Sequence, residues 1–114
     1  MRDLAQLDHG ALAPHEIREA REITEREMHR QLQKAASFLN VEKVMCLVFE
    51  SEASAARSFL STMLSAFDCD VATADAEILY VIQDAWDFFP HRFLQGRCPA
   101  ELMVALFEDQ LRAT

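Results

Sequence analysis

The chain has 114 residues, 51% of them apolar, with two glycines, three prolines and a formal charge of −8. That length fits one domain and leaves no room for a second core, while the apolar content excludes disorder, which needs low hydrophobicity with high net charge. So little turn material excludes an all-β protein of many short strands, and a negative field that repels phosphates predicts no nucleic-acid partner.

Residues 1–13 read as a weak lead-in, with a short turn through Leu4 and Leu7 that ends near Gly10. Asp3, Asp8 and His9 stand where a signal sequence would carry an apolar run. Pro14 opens the first predicted helix, because the N–H it lacks has no partner at that position anyway. At the helical period, Ile17, Ala20, Thr24, Met28, Leu32, Ala35, Phe38 and Leu39 share one face, which predicts a helix to about Leu39. The rest of its surface alternates Glu and Arg, with Glu22 and Arg26 in the favourable i,i+4 order.

Asn40 either ends that helix in a left-handed conformation or caps the next one. Val44, Met45, Leu47, Val48 and Phe49 form a short apolar run that suits a buried strand or a buried helix. A lone strand would have no partner elsewhere in the chain. Two helical pieces are therefore expected across Val41–Phe67, broken near Ser51, with Ser51 capping the second.

The connector Asp68–Thr73 offers Thr73 as an N-cap, with Asp75 and Glu77 at the positive end of the following helix. That helix should pack Ile78, Leu79, Ile82, Ala85, Trp86 and Phe89 and expose Glu77 and Asp84. It should stop near Phe89, because Pro90 disfavours helical geometry in the residue before it. Pro90–Arg97 reads as a loop hinged at Gly96. Cys98-Pro99-Ala100-Glu101 then reads as a helix start with the spacing of a capping box. Leu102, Met103, Leu106, Phe107 and Leu111 supply the apolar side of that last helix. The elements together predict an all-α protein, a compact array or bundle of four to five helices in a single domain.

From Asp68 to Asp87 the chain carries six acidic residues and no Lys or Arg, which reads as a solvated face. Metal chemistry finds little support. His9, His15, His29 and His91 are dispersed, and the HExxH and ExxH spacings are missing. Asp68-Cys69-Asp70 begins like a calcium loop but continues with Thr73 where glycine is needed and Leu79 where glutamate is needed. No metal and no cofactor are expected. Cys46, Cys69 and Cys98 are odd in number, scattered and without a CxxC pair, so free thiols in a reducing cytoplasm are expected. No run of 18 apolar residues offers a membrane span.

Cys98 is the candidate nucleophile, a thiol at a helix start beside Arg97 with His91 upstream as a base. The plainer reading makes Cys98 the cap residue of its helix. The stretch Phe89-Pro90-His91-Arg92-Phe93-Leu94-Gln95-Gly96-Arg97-Cys98-Pro99-Ala100-Glu101-Leu102 resembles the Leu-Gly-Gly-Arg-Ser/Thr-Pro-x-Glu-Leu run in the toxin-binding domain of small bacterial antitoxins of the Xre/ParS type. It is similar also to the tail of transposase integrase domains. The chain departs from both at Gln95, where they carry glycine, and at Cys98, where they carry serine or threonine. Two unrelated families sharing the run implies a local loop-to-helix device, and no family is assigned from it. Among the aromatic residues Trp86, Phe88, Phe89, Phe93 and Phe107, Phe88 sits at the edge of its helix's apolar face. An interaction surface built on Phe88, Phe93, His91, Arg92 and Arg97 is expected there.

The expected function is a non-enzymatic interaction module of adaptor or regulator type, forming a homodimer or binding a protein partner. The alternative is a small-molecule or thiol-dependent activity centred on Cys98 and His91.

Overall fold

A computed structural model describes residues 12–102 of the protein. Most of the predicted lead-in, with His9, lies outside those residues, as do Met103, Leu106, Phe107 and Leu111. The described residues are 68% helical and contain no strand. Four α-helices follow one another: α1 (Pro14–Lys34), α2 (Val41–Glu50), α3 (Ala56–Ala66) and α4 (Ala76–Phe88). A 3-10 turn at Arg92–Leu94 and a helical turn at 99–102 complete the chain as described. The all-α array expected from the sequence is the fold observed.

Helix α1 begins at Pro14, and the Glu16 carboxylate accepts the N–H of Ala13 at 2.9 Å. It buries Ile17, Thr24, Met28, Gln31 and Leu32. Thr24 satisfies its hydroxyl by donating to the Ala20 carbonyl at 2.7 Å, so a polar side chain on the buried face costs little. The helix ends at Lys34, short of the expected Leu39. Ala36 adopts a left-handed conformation, φ 51°, and the Ser37 N–H closes back on the Leu32 carbonyl at 3.0 Å. This is the usual left-handed helix ending, with alanine where glycine is common. Ala35 and Phe38 are consequently exposed and do not continue the apolar face. Glu22 and Arg26 form no ion pair; Arg30 pairs with Glu27 instead and reaches Glu77 of α4.

Asn40 caps α2, its Oδ1 accepting the Lys43 N–H at 2.9 Å. The apolar run is thus helical, and it buries Val44 and Val48. Ser51 does not cap the next helix. It closes α2, its hydroxyl donating to the Leu47 carbonyl at 2.6 Å, and α3 starts later, from Ala55. Asp68, also left-handed at φ 54°, ends α3 in the manner of Ala36, with the Cys69 N–H returning to the Leu64 carbonyl.

Thr73 does not cap α4 either. It is locked in a closed turn with Asp70, where the Thr73 N–H donates to Asp70 Oδ1 and the Asp70 N–H to Thr73 Oγ1, each at 3.0 Å. The N-cap is Asp75. Helix α4 buries more of its circumference than expected: Val81 and Phe88 join Ile82, Ala85 and Phe89 inside, and Asp84 is half-buried. It packs most extensively on α1. The main core joins Met28 and Leu32 of α1, Val44 and Val48 of α2, Phe59, Met63 and Leu64 of α3, and Val81, Ile82 and Ala85 of α4. A smaller cluster of Ile17, Phe88 and Cys98 sits at the other end of α1.

Candidate functional site

The segment from Phe88 to Leu102 holds every residue singled out above for catalysis or interaction. Pro90 stops α4, and the chain then winds around His91. The backbone carbonyl of His91 accepts the N–H groups of Leu94 and Gly96, and its own N–H donates to the Arg97 carbonyl at 3.0 Å. Gln95 and Gly96 both have positive φ, 60° and 85°, so the hinge expected at Gly96 takes two residues.

The His91 side chain is fully buried. Its Nε2 lies 2.7 Å from the Trp86 carbonyl, and a carbonyl oxygen only accepts, so the proton sits on Nε2. Nδ1 is then a bare acceptor, buried and without a hydrogen-bond partner. The ring stands edge-on to Trp86 and Phe93, with centroids 4.6 and 5.2 Å away. Burial pushes its pKa below the ordinary histidine value, and the Trp86 carbonyl and Asp87 do not offset this. His91 is a neutral core residue.

Cys98 is also fully buried and heads the helical turn at 99–102 as the sequence implies. Glu101 Oε1 accepts the Cys98 N–H at 3.0 Å, and the Glu101 N–H donates back to the Cys98 carbonyl at 3.0 Å. Burial raises the thiol pKa above its ordinary value, and the Glu101 carboxylate also opposes a thiolate there. An activated nucleophile needs the reverse, an exposed thiol in an electropositive setting. The geometry is that of a helix start.

The residue that organises this junction is Arg21. Its Nε donates to the Phe88 carbonyl at 2.6 Å, and its Nη2 donates to Glu101 Oε1 at 3.2 Å. The last carbonyls of a helix lack partners within it and carry its negative end. One guanidinium from α1 therefore satisfies the end of α4 and holds the carboxylate that caps the next helix. Burial works to raise the Glu101 pKa, but its bonds from Cys98 and the Arg21 charge outweigh that and leave it below the ordinary carboxylate value. By its charge Arg21 belongs with the Glu and Arg residues on the outer surface of α1. Yet it lies about 40° from Ile17 on the helix wheel, inside the apolar face, and that was the available signal.

The expected interaction surface needs correction. Phe88 and His91 are buried, 5% and 0% exposed, because they pack inside the protein rather than facing outward. Phe93 is 40% exposed, and Arg92 and Arg97 are exposed. Arg92 turns back onto α2, where it pairs with Glu50 and lies over the Phe49 ring, 5.4 Å from its centroid.

A second region is more open. Leu39, Lys43, Cys46, Leu47, Glu50 and Ser51 line a groove along the outer side of α2, with walls chiefly apolar and freely open to solvent. Phe38, next along the chain, is 79% exposed. No metal-binding group of His, Cys, Asp or Glu occurs among the described residues, and no helix among them is long and apolar enough to cross a membrane. In comparisons with known proteins, the chain matches no family model, no curated protein and no solved structure.

Proposed function

We propose that the chain is a non-enzymatic interaction module of adaptor or regulator type, which works by presenting a helical surface and associates as a homodimer. The observation that carries this reading is the apolar groove on the outer side of α2, with Leu47 exposed in it. Helix-in-groove pairing uses open apolar grooves of this kind, with anchors at helical spacing. A small ligand wants a concave site that encloses most of its surface. This groove is open, and suits another helix better. The partner is protein, since a charge of −8 repels nucleic acid. Three free thiols suit a reducing, cytoplasmic setting.

The thiol-based alternative has no observation in its favour, since Cys98 and His91 are both buried and each is committed to backbone structure. The test is sedimentation equilibrium at micromolar concentration, together with co-purification from the native host. The expected outcome is a mass above that of the 13.0 kDa chain, or a stoichiometric companion, lost in Leu47→Glu. A 13.0 kDa species throughout with no companion sinks the proposal.

A further inference from the structure

Helix α2 has two faces with different fates. Val44 and Val48 are buried in the core. Lys43, Cys46, Leu47 and Glu50 point away from it, and at i, i+3, i+4 and i+7 they form one narrow stripe. That is a single heptad's worth of contact surface with a small and a large apolar residue in the middle. Its ends are oppositely charged, with Lys43 towards the N-terminus and Glu50 at the C-terminus. The stripe is therefore complementary to itself when reversed.

Resting on the interaction reading above, we infer that α2 is the homodimer contact, pairing antiparallel across a two-fold axis. Lys43 of each copy then faces Glu50 of the other, and Cys46 and Leu47 meet at the centre. A two-fold contact uses the same patch twice, so every favourable pair occurs twice. The Lys43 ammonium has no ion-pair partner among the described residues. Arg92 already holds Glu50 through Oε1, which fixes the carboxylate at the helix end. Acceptor capacity remains on a carboxylate with two oxygens. A parallel pairing would set Lys43 against Lys43 and Glu50 against Glu50, so the charges select the antiparallel one.

Two further features shape the pairing. Cys46 is small, and next to the axis it lets the helices approach to the near end of the usual ~8–10 Å spacing. The two Cys46 thiols then lie almost opposite one another. A ten-residue helix is only about 15 Å long, so the area buried stays near or below the ~1,000 Å² floor for stable complexes. The dimer is a weak, micromolar one, which suits a regulator that must come apart.

The experiment uses the full chain and two charge reversals, Lys43→Glu and Glu50→Lys, each checked for helicity by circular dichroism. Sedimentation equilibrium from about 10 to 500 µM, at physiological salt, spans the range where an interface of this size dissociates. The wild type should dimerise, and each reversal alone should weaken association at least about tenfold, since it sets like charges together twice. An equimolar mixture of the two reversals should dimerise again. The carboxylate introduced at position 43 of one chain then meets the amine introduced at position 50 of the other, and the native Glu50 of the first meets the native Lys43 of the second. A short bis-maleimide should join two wild-type chains and fail to join two Cys46→Ser chains, which checks the register even if one reversal does not fold. Reversals that leave a wild-type dimer intact overturn the α2 contact and leave self-association standing. Two monomeric reversals that do not rescue each other overturn the register. A wild type that stays monomeric overturns the contact and the homodimer together, leaving the interaction reading to the co-purified partner.

Discussion

Cys98 and Cys46 occupy opposite kinds of place. Cys98 lies in a junction where α1, the end of α4 and the helical turn at 99–102 are bound by Arg21 and Glu101, and it is fully buried. Cys46 lies on the outer stripe of α2, exposed, in a groove that nothing described covers. The first region looks like chemistry in the sequence, with a thiol, a histidine and arginines close together. In three dimensions those groups satisfy helix ends and fill a core. The second region has no motif at all, yet it offers the open apolar surface. Reactive residue types crowded in sequence signal function only when geometry leaves them free to act.

The sharpest way to break this comparison is to remove Arg21. Arg21→Met keeps the apolar stem but leaves the Phe88 carbonyl and the Glu101 carboxylate without their charged donor. Hydrogen bonds to charged groups contribute about 1.5–3 kcal/mol, so a loss of about 2–3 kcal/mol is expected in urea denaturation. Cys46→Ser on the outer stripe should change stability by no more than about 0.5 kcal/mol. Similar effects at both places would erase the distinction between junction and surface.

Acid should expose the junction in two stages. The folded His91 resists a proton that the unfolded chain accepts, because burial lowers its pKa. Its contribution to stability is complete above about pH 6.5 and is lost as pH falls below that towards the folded pKa. Glu101 has a lowered carboxylate pKa, so its contribution is present above the unfolded value and disappears as pH falls through the folded one. Stability measured from pH 8 to 3 should decline first on account of His91 and again on account of Glu101. His91→Gln should remove the first decline, and Glu101→Gln the second. A wild-type curve flat between pH 7 and 5 contradicts the buried neutral histidine.

The smallest effect concerns the thiols themselves. Iodoacetamide near pH 7 should label Cys46 first, Cys69 more slowly, and Cys98 only as the protein unfolds. Burial raises the pKa of both Cys69 and Cys98, with neighbouring carboxylates adding to it. Cys98→Ser should shift stability by less than about 1 kcal/mol, the scale of a cap residue. Fast labelling of Cys98 that depends on His91 would restore the nucleophile.

Much of the architecture was legible because apolar residues recur at the helical period from Ile17 to Leu32 and from Ile78 to Phe89. The Pro90 stop and the Cys98–Glu101 spacing were legible too, being local chemistry, while Asn40 left two readings open. Helix ends were harder. Glycine is the customary sign of a left-handed ending, and the chain uses Ala36 and Asp68 instead, so apolar Ala35 and Phe38 looked like further helix. Thr73 looked like a cap because its hydroxyl suits one, but Asp70 stands at the right distance to engage it in a turn. Arg21 depends on partners dozens of residues away, at Phe88 and Glu101. No window of sequence holds both sides of such a contact.

The bond between Arg21 and Glu101 spans 80 residues. Helix α1 also rests chiefly on α4, far along the chain. Contacts of that range are costly to close and slow folding. At about 5–20 residues per second, a ribosome completes α1 roughly 3–13 s before it delivers Glu101. Ile17 waits longest for cover, because Phe88 and Cys98 are made late, whereas Met28 and Leu32 meet α2 and α3 sooner. Helix α1 is thus secured only once the far side of the junction has been made, and until then its Ile17 end stays open to chaperones.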